Sequence, residues 1–147
     1  MRILVADDEA PARERLAQQV ADLGGHQVVA GAATGDEAIR LAAAHEPDVV
    51  LMDIRMPGTD GVTAARTLAD ATAPPAVIFV SAYSEYALSA FDAQGVDYLV
   101  KPVRRERLAR ALERACRVTR PQLDALAAEP DDDASDGETR SHILCRR

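Results

Sequence analysis

Short apolar runs alternate along the chain with longer stretches in which apolar residues recur at helical spacing. The short aliphatic runs predict buried strands, and the helical spacing predicts amphipathic helices. Five strands are predicted: Arg2–Ala6, Gln27–Ala32, Val49–Asp53, Ala76–Ser81 and Asp97–Val100. Five helices are predicted between and after them: Ala10–Leu23, about 34–45, Gly61–Ala69, Glu85–Ala93 and Arg104–Arg117.

Residues typical of helix ends occur at the boundaries of the predicted helices. Gly24 and Gly25 end the first helix, because glycine adopts the backbone conformation that closes a helix at little cost. Thr34 and Glu37 form a capping box, in which each gives a partner to an unpaired N–H group at the helix start. Asp60 is placed to cap the next helix in the same way.

The alternation of strand and helix predicts an α/β fold, with a parallel five-stranded sheet that helices cover on both faces. In such folds ligands bind beyond the carboxyl ends of the strands. Five polar residues lie at or just past a predicted strand end: Asp7, Asp8, Asp53, Ser81 and Lys101. We therefore expect three carboxylates, a hydroxyl and an ammonium group to meet at one edge of the sheet.

Composition fits one globular domain followed by a tail. The chain has 147 residues, of which 48% are hydrophobic and 3% aromatic, so the predicted core is aliphatic. The net charge of -7 disfavours non-specific binding of nucleic acid by the whole chain. We find no apolar stretch long enough to cross a membrane and no leader pattern at the start, so we expect a soluble, cytoplasmic protein.

Lys101 is the only lysine of the chain, and the other sixteen basic side chains are arginines. A compact ammonium on a flexible stem differs from a planar guanidinium, which indicates a specific use at this position. Taken singly, Asp8 could cap a helix, Asp53 could end a strand, and Lys101 could lie in solvent. Together they predict a site for a divalent metal and a phosphoryl group, since oxygen ligands suit hard cations.

Four segments at these strand ends resemble the receiver domain of bacterial two-component response regulators. Each is weak alone, but their order and placement are specific. The segments are Ala6-Asp7-Asp8-Glu9; Leu51-Met52-Asp53 with Met56-Pro57-Gly58 and Asp60-Gly61; Val80-Ser81-Ala82; and Asp97-Tyr98-Leu99-Val100-Lys101-Pro102. The resemblance covers roughly residues 1–117. It implies a flavodoxin-like (βα)5 fold, doubly wound, with strand order 2-1-3-4-5, and a receiver domain over residues 1–120.

The resemblance implies a role for each residue at the predicted site. Asp53 is expected to be the phosphoacceptor, since a carboxylate can attack phosphorus. Mg²⁺ is the expected cofactor, held by Asp7, Asp8, Asp53 and the backbone carbonyl of Arg55. The expected activity is that of a phosphoacceptor switch, not an enzyme, with slow self-dephosphorylation at most.

The same resemblance implies how the switch works. Lys101 and Ser81 are expected to contact the phosphoryl oxygens, and Tyr98 is the switch aromatic that turns inward when Ser81 moves. The loop after Ser81 and the helix Glu85–Ala93 would form the bistable element. The Lys101–Pro102 peptide bond is expected to be cis, because cis is accessible only before proline.

The end of the chain has a different character. Residues 121–139, rich in acidic residues with serine and glycine, are expected to form a flexible linker. Three nearby segments are similar to receivers of the LytR/AlgR class, whose members carry a C-terminal LytTR DNA-binding domain. They are Ser81–Leu88, Ala90-Phe91 and Val96–Pro102. Residues 140–147 resemble the start of that domain. The chain is therefore interpreted as part of a transcription regulator that binds DNA through an output domain mostly absent here.

The family implies a sensor histidine kinase as the partner that supplies the phosphoryl group. We also expect a phosphorylation-dependent homodimer, because five arginines of the last helix region could pair with acidic residues of a second copy, such as Asp92 and Asp97. These arginines are Arg104, Arg105, Arg107, Arg110 and Arg114. The sequence does not identify the kinase, the signal, the target genes, the phosphoryl lifetime or the effect of the Arg55 side chain.

Three other classes of protein share part of this pattern. A stand-alone signalling receiver would have the same site without an output domain. A phosphatase of the haloacid dehalogenase type needs a second acid two residues after the nucleophile, where this chain has Arg55. A flavin-binding electron carrier would need a hydroxyl-rich phosphate loop after the first strand, where Asp7-Asp8-Glu9 would repel phosphate without a metal, and stacking aromatics, of which this chain has too few. Cys116 and Cys145 form no CxxC pair and are interpreted as free thiols.

Overall fold

The computed structural model describes residues 1–82 and 96–127, with side chains up to Arg117. A five-stranded parallel sheet forms its centre, in the order β2-β1-β3-β4-β5. The strands are β1 Arg2–Ala6, β2 Gln27–Ala32, β3 Val49–Asp53, β4 Ala76–Ser81 and β5 Asp97–Val100. The predicted flavodoxin-like topology and the predicted bounds of all five strands are confirmed.

Within the described residues, four helices accompany the sheet: α1 Ala10–Leu23, α2 Gly35–His45, α3 Gly61–Ala69 and α4 Arg105–Ala127. The first three match the prediction. α4 begins one residue later than predicted and continues past the predicted end at Arg117, through Pro121. A proline inside a helix removes one backbone hydrogen bond without always ending the helix. The predicted helix Glu85–Ala93 lies outside the described residues.

The predicted helix caps are present. The Thr34 hydroxyl oxygen accepts a hydrogen bond from the Glu37 N–H group at 3.0 Å, and the Glu37 carboxylate accepts one from the Ala33 N–H group at 2.7 Å. The Asp60 carboxylate accepts a hydrogen bond from the N–H group of Thr63 at 2.8 Å at the start of α3. These contacts pair N–H groups that a helix start leaves without an intrahelical partner.

Two apolar cores lie on opposite faces of the sheet, because successive side chains of a strand point to opposite sides. From β3, Val50 and Met52 enter the core beneath α2 and α3, and Val49 and Leu51 enter the core beneath α1 and α4. Every residue of β3 is buried. The central strand is thus fixed on both faces, and its last residue, Asp53, is fixed with it.

Strand register brings the polar strand ends to one edge. Ala6 is paired with Met52, Asp53 with Val80, and Ser81 with Val100. Asp7 and Lys101 each follow directly after a paired residue, so both leave the sheet at this same edge. The edge is the one at which ligands bind in open α/β sheets.

The loop between β3 and α3 closes tightly beside this edge. The Gly61 N–H group donates to the Ile54 carbonyl oxygen at 2.8 Å. A Cβ atom at position 61 would lie 2.1 Å from the Asp53 carbonyl oxygen, so only glycine permits this approach. The loop that follows Asp53 is therefore held close to the carboxyl end of β3.

Cys116 is buried on α4 and is disulfide-bonded, so the interpretation of free thiols is wrong for Cys116, and Cys145 lies outside the described residues. Among the described helices, none combines the length with the apolar character that crossing a bilayer requires.

Candidate functional site

Three carboxylates converge at the carboxyl edge of the sheet. One oxygen from each of Asp7, Asp8 and Asp53 lies within 4.8 Å of the others. Asp7 is fully buried at the end of β1 and Asp53 is 7% exposed at the end of β3, whereas Asp8 is exposed. This all-oxygen donor set fits a hard divalent cation such as Mg²⁺, which prefers carboxylates and water. The open side at Asp8 leaves room for the water ligands that Mg²⁺ usually keeps.

Lys101 supplies a positive charge inside this cluster. Its Nζ atom lies 2.8 Å from Asp7 Oδ2 and 3.5 Å from Asp53 Oδ2. Burial alone would lower the pKa of Lys101, but the hydrogen bonds and charges of the two carboxylates outweigh it and raise that pKa. The ammonium group of Lys101 therefore stays charged at neutral pH and offsets part of the negative charge. The Lys101–Pro102 peptide bond is cis, as the sequence analysis expects.

The folded structure disfavours ionisation of the Asp53 carboxylate. Burial, followed by the negative charge of Asp7, raises the pKa of Asp53 from 3.8 to about 6. The charge of Lys101 and a hydrogen bond from the Arg55 N–H group act in the opposite direction but do not cancel the increase. Asp53 is thus a buried carboxylate that gains from any further positive charge, which is the condition under which a metal binds well.

Asp7 is held by contacts to all of its polar groups. Its N–H group donates to the Ala32 carbonyl oxygen at 2.9 Å, and its Oδ1 atom accepts from the Glu9 N–H group at 3.0 Å. Its Oδ2 atom accepts from Lys101, and its own carbonyl oxygen accepts from Arg13 Nη1 at 2.7 Å. Sequence reasoning missed the contact from Arg13. A contact from a side chain to a backbone carbonyl leaves no motif by which it could have been found.

An open cleft of about 470 Å³ adjoins the carboxylates. Both signs of charge occur on its walls. It is lined by Asp8, Ile54, Arg55, Met56, Pro57 and Asp60. The side chain of Arg55 is exposed. A small solute can therefore approach the cluster from the side on which Asp8 lies.

Ser81 and Tyr98 lie close to this edge. Ser81 is 1% exposed at the end of β4, and its carbonyl oxygen accepts a hydrogen bond from the Lys101 N–H group at 2.8 Å. Tyr98 is 9% exposed and packs in the core beneath α2 and α3, so its ring is directed inward. The segment 83–95, to which the predicted switch loop and helix belong, lies outside the described residues.

Asp97 does not lie in solvent, as pairing with a second copy would require. It is 4% exposed, and Arg107 of the same chain holds its two carboxylate oxygens at 2.7 and 3.0 Å. Arg114 lies 3.9 Å away. The expectation that Asp97 pairs with arginines of a second copy is therefore wrong, because arginines of its own chain already bind it. Asp92 lies outside the described residues.

A comparison with protein families identifies the family of this chain independently of the site geometry. Residues 3–113 match the family model described as the response regulator receiver domain. The match covers most of the chain and includes all the residues of the carboxylate cluster and Lys101.

Individual relatives agree with this match. The chain is 51% identical over 148 residues to the positive alginate biosynthesis regulatory protein of Pseudomonas aeruginosa, covering 99% of the chain and 58% of that protein. It is 32% identical over 120 residues to the sensory transduction protein LytT of Bacillus subtilis, covering 82% of the chain and 50% of that protein. The chain therefore spans about half the length of these curated relatives.

A solved structure shares the fold. A chain in the crystal structure of the CheX–CheY–BeF3–Mg²⁺ complex from Borrelia burgdorferi superposes with a TM-score of 0.70 at 25% sequence identity. The match covers 76% of this chain and 86% of that one.

Proposed function

Because this chain belongs to the response regulator receiver domain family, in its LytR/AlgR class, we propose that it accepts a phosphoryl group from a sensor histidine kinase on Asp53. The observation that carries this proposal is the buried carboxylate of Asp53, which lies at the end of the central strand with Lys101 Nζ 3.5 Å away. The chain then acts as a phosphoacceptor switch and not as an enzyme, with slow self-dephosphorylation at most.

Asp53 is suited to be the acceptor. Its carboxylate oxygen attacks phosphorus, a new O–P bond forms, and the bond from phosphorus to the donor's leaving group breaks. A pKa of about 6 leaves the carboxylate mostly ionised at neutral pH, so the nucleophilic form is present. The Gly61 contact and the fully buried strand hold the attacking group in place, which lowers the entropic cost of reaction.

Asp7, Asp8 and Asp53 would hold Mg²⁺, together with the backbone carbonyl of Arg55. When bound, the metal supplies positive charge that stabilises the transferring phosphoryl group. Three carboxylates and a single ammonium group leave the cluster negative, and this supports the presence of a cation. The printed description of the related Borrelia burgdorferi complex also names Mg²⁺.

Lys101 and Ser81 respond to the new phosphoryl group. Phosphorylation adds roughly -1.5 to -2 charges and three acceptor oxygens. Lys101 donates to one oxygen as a point charge, and the Ser81 hydroxyl donates to another. Moving a two-state equilibrium from 1:99 to 99:1 needs about 5.5 kcal/mol, and these two contacts supply a good part of it. Tyr98 is the proposed switch aromatic: its ring already packs in the core beneath α2 and α3, and movement of Ser81 toward the phosphoryl group would favour this inward position.

Transcription regulation is the output that we propose. Residues 1–120 form the receiver, residues 121–139 connect it to the output domain as an acidic segment whose first part continues α4 as far as Ala127, and residues 140–147 begin a LytTR DNA-binding domain. The name of the Pseudomonas aeruginosa relative, a regulatory protein of which this chain covers 58%, supports this arrangement. Phosphorylation would favour a homodimer in the cytoplasm. A stand-alone receiver that acts through protein contacts is the alternative, and the full-length gene distinguishes the two.

Labelling with a small phosphoryl donor tests the acceptor function without the kinase. We expect one phosphate per chain after incubation with acetyl phosphate and Mg²⁺, because the site neutralises the transferring group. We expect little or none when EDTA removes the metal. Intact-mass spectrometry of the two samples measures the difference. Equal labelling with and without Mg²⁺ would contradict the metal site, and no labelling in either sample would contradict the acceptor function.

A further inference from the structure

We propose that Arg13 is a positioning residue for the metal site: it fixes the peptide group that joins Asp7 to Asp8 and so orients Asp8 for the cation. The inference rests on the proposed metal-dependent function and adds a residue to it. Arg13 lies in the first turns of α1, and its Nη1 atom donates to the Asp7 carbonyl oxygen at 2.7 Å.

Asp7 and Asp8 differ in how they are held. Asp7 is buried, and its carboxylate receives hydrogen bonds from the Glu9 N–H group and from Lys101. Asp8 is exposed, and its carboxylate has no hydrogen-bond donor among residues 1–82 and 96–117. The direction in which Asp8 points therefore depends on the backbone that carries it.

The contact from Arg13 acts on that backbone. The Asp7 carbonyl oxygen belongs to the planar peptide unit that also contains the nitrogen and Cα atoms of Asp8. Holding the oxygen holds the plane, and the plane sets where the Asp8 side chain leaves the chain. The Arg13 stem lies along Gly31, where an added Cβ atom would be 3.5 Å from Arg13 Cδ, so the side chain is itself supported by β2.

The direction in which Mg²⁺ affinity changes when Arg13 is replaced distinguishes a positioning role from a purely electrostatic one. Arg13 carries a positive charge close to a cation site, so removing the charge alone would strengthen Mg²⁺ binding. Removing a hydrogen bond that orients a ligand weakens binding instead, and losing such supporting contacts costs about tenfold or more in metal affinity. The two accounts predict opposite changes for the same substitution.

The test measures Mg²⁺ affinity directly, by isothermal titration calorimetry of the full chain. Arg13→Met keeps an aliphatic stem against Gly31 and removes the donor, and we expect Mg²⁺ to bind about tenfold more weakly. Arg13→Lys keeps the charge and a donor, and we expect affinity well above that of Arg13→Met and close to that of wild type. Arg15→Met is the matched control, because Arg15 is exposed on the same helix and should leave affinity unchanged.

Each possible result either supports or overturns the positioning role of Arg13. Weaker binding in Arg13→Met, with a melting temperature in EDTA close to that of wild type, supports positioning. Unchanged or tighter binding overturns it. If the methionine variant does not fold, Arg13→Ala gives the same comparison. If the wild-type chain binds no Mg²⁺, the proposed metal site itself is wrong. If the wild type binds Mg²⁺, but no more tightly than Arg13→Met does, only the inference about Arg13 is wrong.

Discussion

We expect Asp53→Asn to abolish labelling by acetyl phosphate and, in the absence of metal, to make the fold more stable than wild type. The first effect follows from loss of the attacking carboxylate. The second follows from the pKa of Asp53, which burial and the charge of Asp7 raise from 3.8 to about 6. An ionised Asp53 therefore opposes folding by up to about 3 kcal/mol, and asparagine has no charge to bury.

The stability that Asp53→Asn gains over wild type should increase with pH. The folded state holds the proton of Asp53 more tightly than the unfolded state does, so wild-type stability falls as pH rises from 3.8 through about 6. The difference in unfolding free energy between Asp53→Asn and wild type should be near zero below that range. It should grow across the range and stay constant above it. Urea denaturation in EDTA at several pH values measures it.

Asp70→Asn is the control for this substitution, because Asp70 is exposed at the end of α3. It should take the phosphoryl label as wild type does and change stability by less than about 0.5 kcal/mol. Added Mg²⁺ should narrow the gap between wild type and Asp53→Asn, because only the wild type keeps all three carboxylates. Equal labelling of wild type and Asp53→Asn would show that another residue is the acceptor.

Arg107→Ala should destabilise the fold by about 2–3 kcal/mol at neutral pH, because it leaves a buried carboxylate without its main partner. Asp97 is 4% exposed, and Arg107 donates two hydrogen bonds to it at 2.7 and 3.0 Å. Removing one partner of a buried pair leaves a desolvated charge, which costs about 3–5 kcal/mol when the pair is fully buried. Arg107 is partly exposed and Arg114 remains nearby, so we expect a smaller loss.

The pH dependence here has the opposite sign to that of Asp53. Burial would raise the pKa of Asp97, but the hydrogen bonds from Arg107 and the Tyr98 N–H group, with the charges of Arg107 and Arg114, lower it overall. This stabilisation is present above the unfolded pKa of 3.8 and is lost as pH falls through the lower folded pKa. The gap between wild type and Arg107→Ala should therefore shrink as pH falls below 3.8.

Arg110→Ala serves as the matched control on α4, since Arg110 is exposed and its loss should change stability by less than about 0.5 kcal/mol. Chemical denaturation of both variants and wild type gives the comparison. A loss in Arg107→Ala no larger than that in Arg110→Ala would show that the Asp97 pair contributes nothing to stability.

Much of the fold follows from local sequence. A strand buried on both faces must be apolar along its whole length, as Val49–Met52 is, so its start and end are visible as changes of composition. The chemistry then lies where each apolar run stops, at Asp7, Asp53 and Lys101. The last helix was harder to delimit, because Pro121 resembles an end signal although the helix continues through it.

The contacts that hold the site are less visible in the sequence. Asp7 and Asp8 look alike as neighbours, yet one is buried and the other exposed, because the chain leaves the sheet edge at this point. Arg13 reaches a backbone carbonyl, and a carbonyl is present at every residue. Arg107 looked like one more surface arginine, and only the fold shows that it covers the buried Asp97.

Site-specific NMR titration of the Asp53 side-chain carboxyl carbon tests the central claim most directly. That claim is that Asp53 is a buried acceptor, crowded by neighbouring acids, whose charge a bound cation offsets. We predict a pKa of about 6 for Asp53 in the metal-free chain and a clear decrease when Mg²⁺ is added. A metal-free pKa at or below 3.8, or a value that Mg²⁺ leaves unchanged, would contradict the claim.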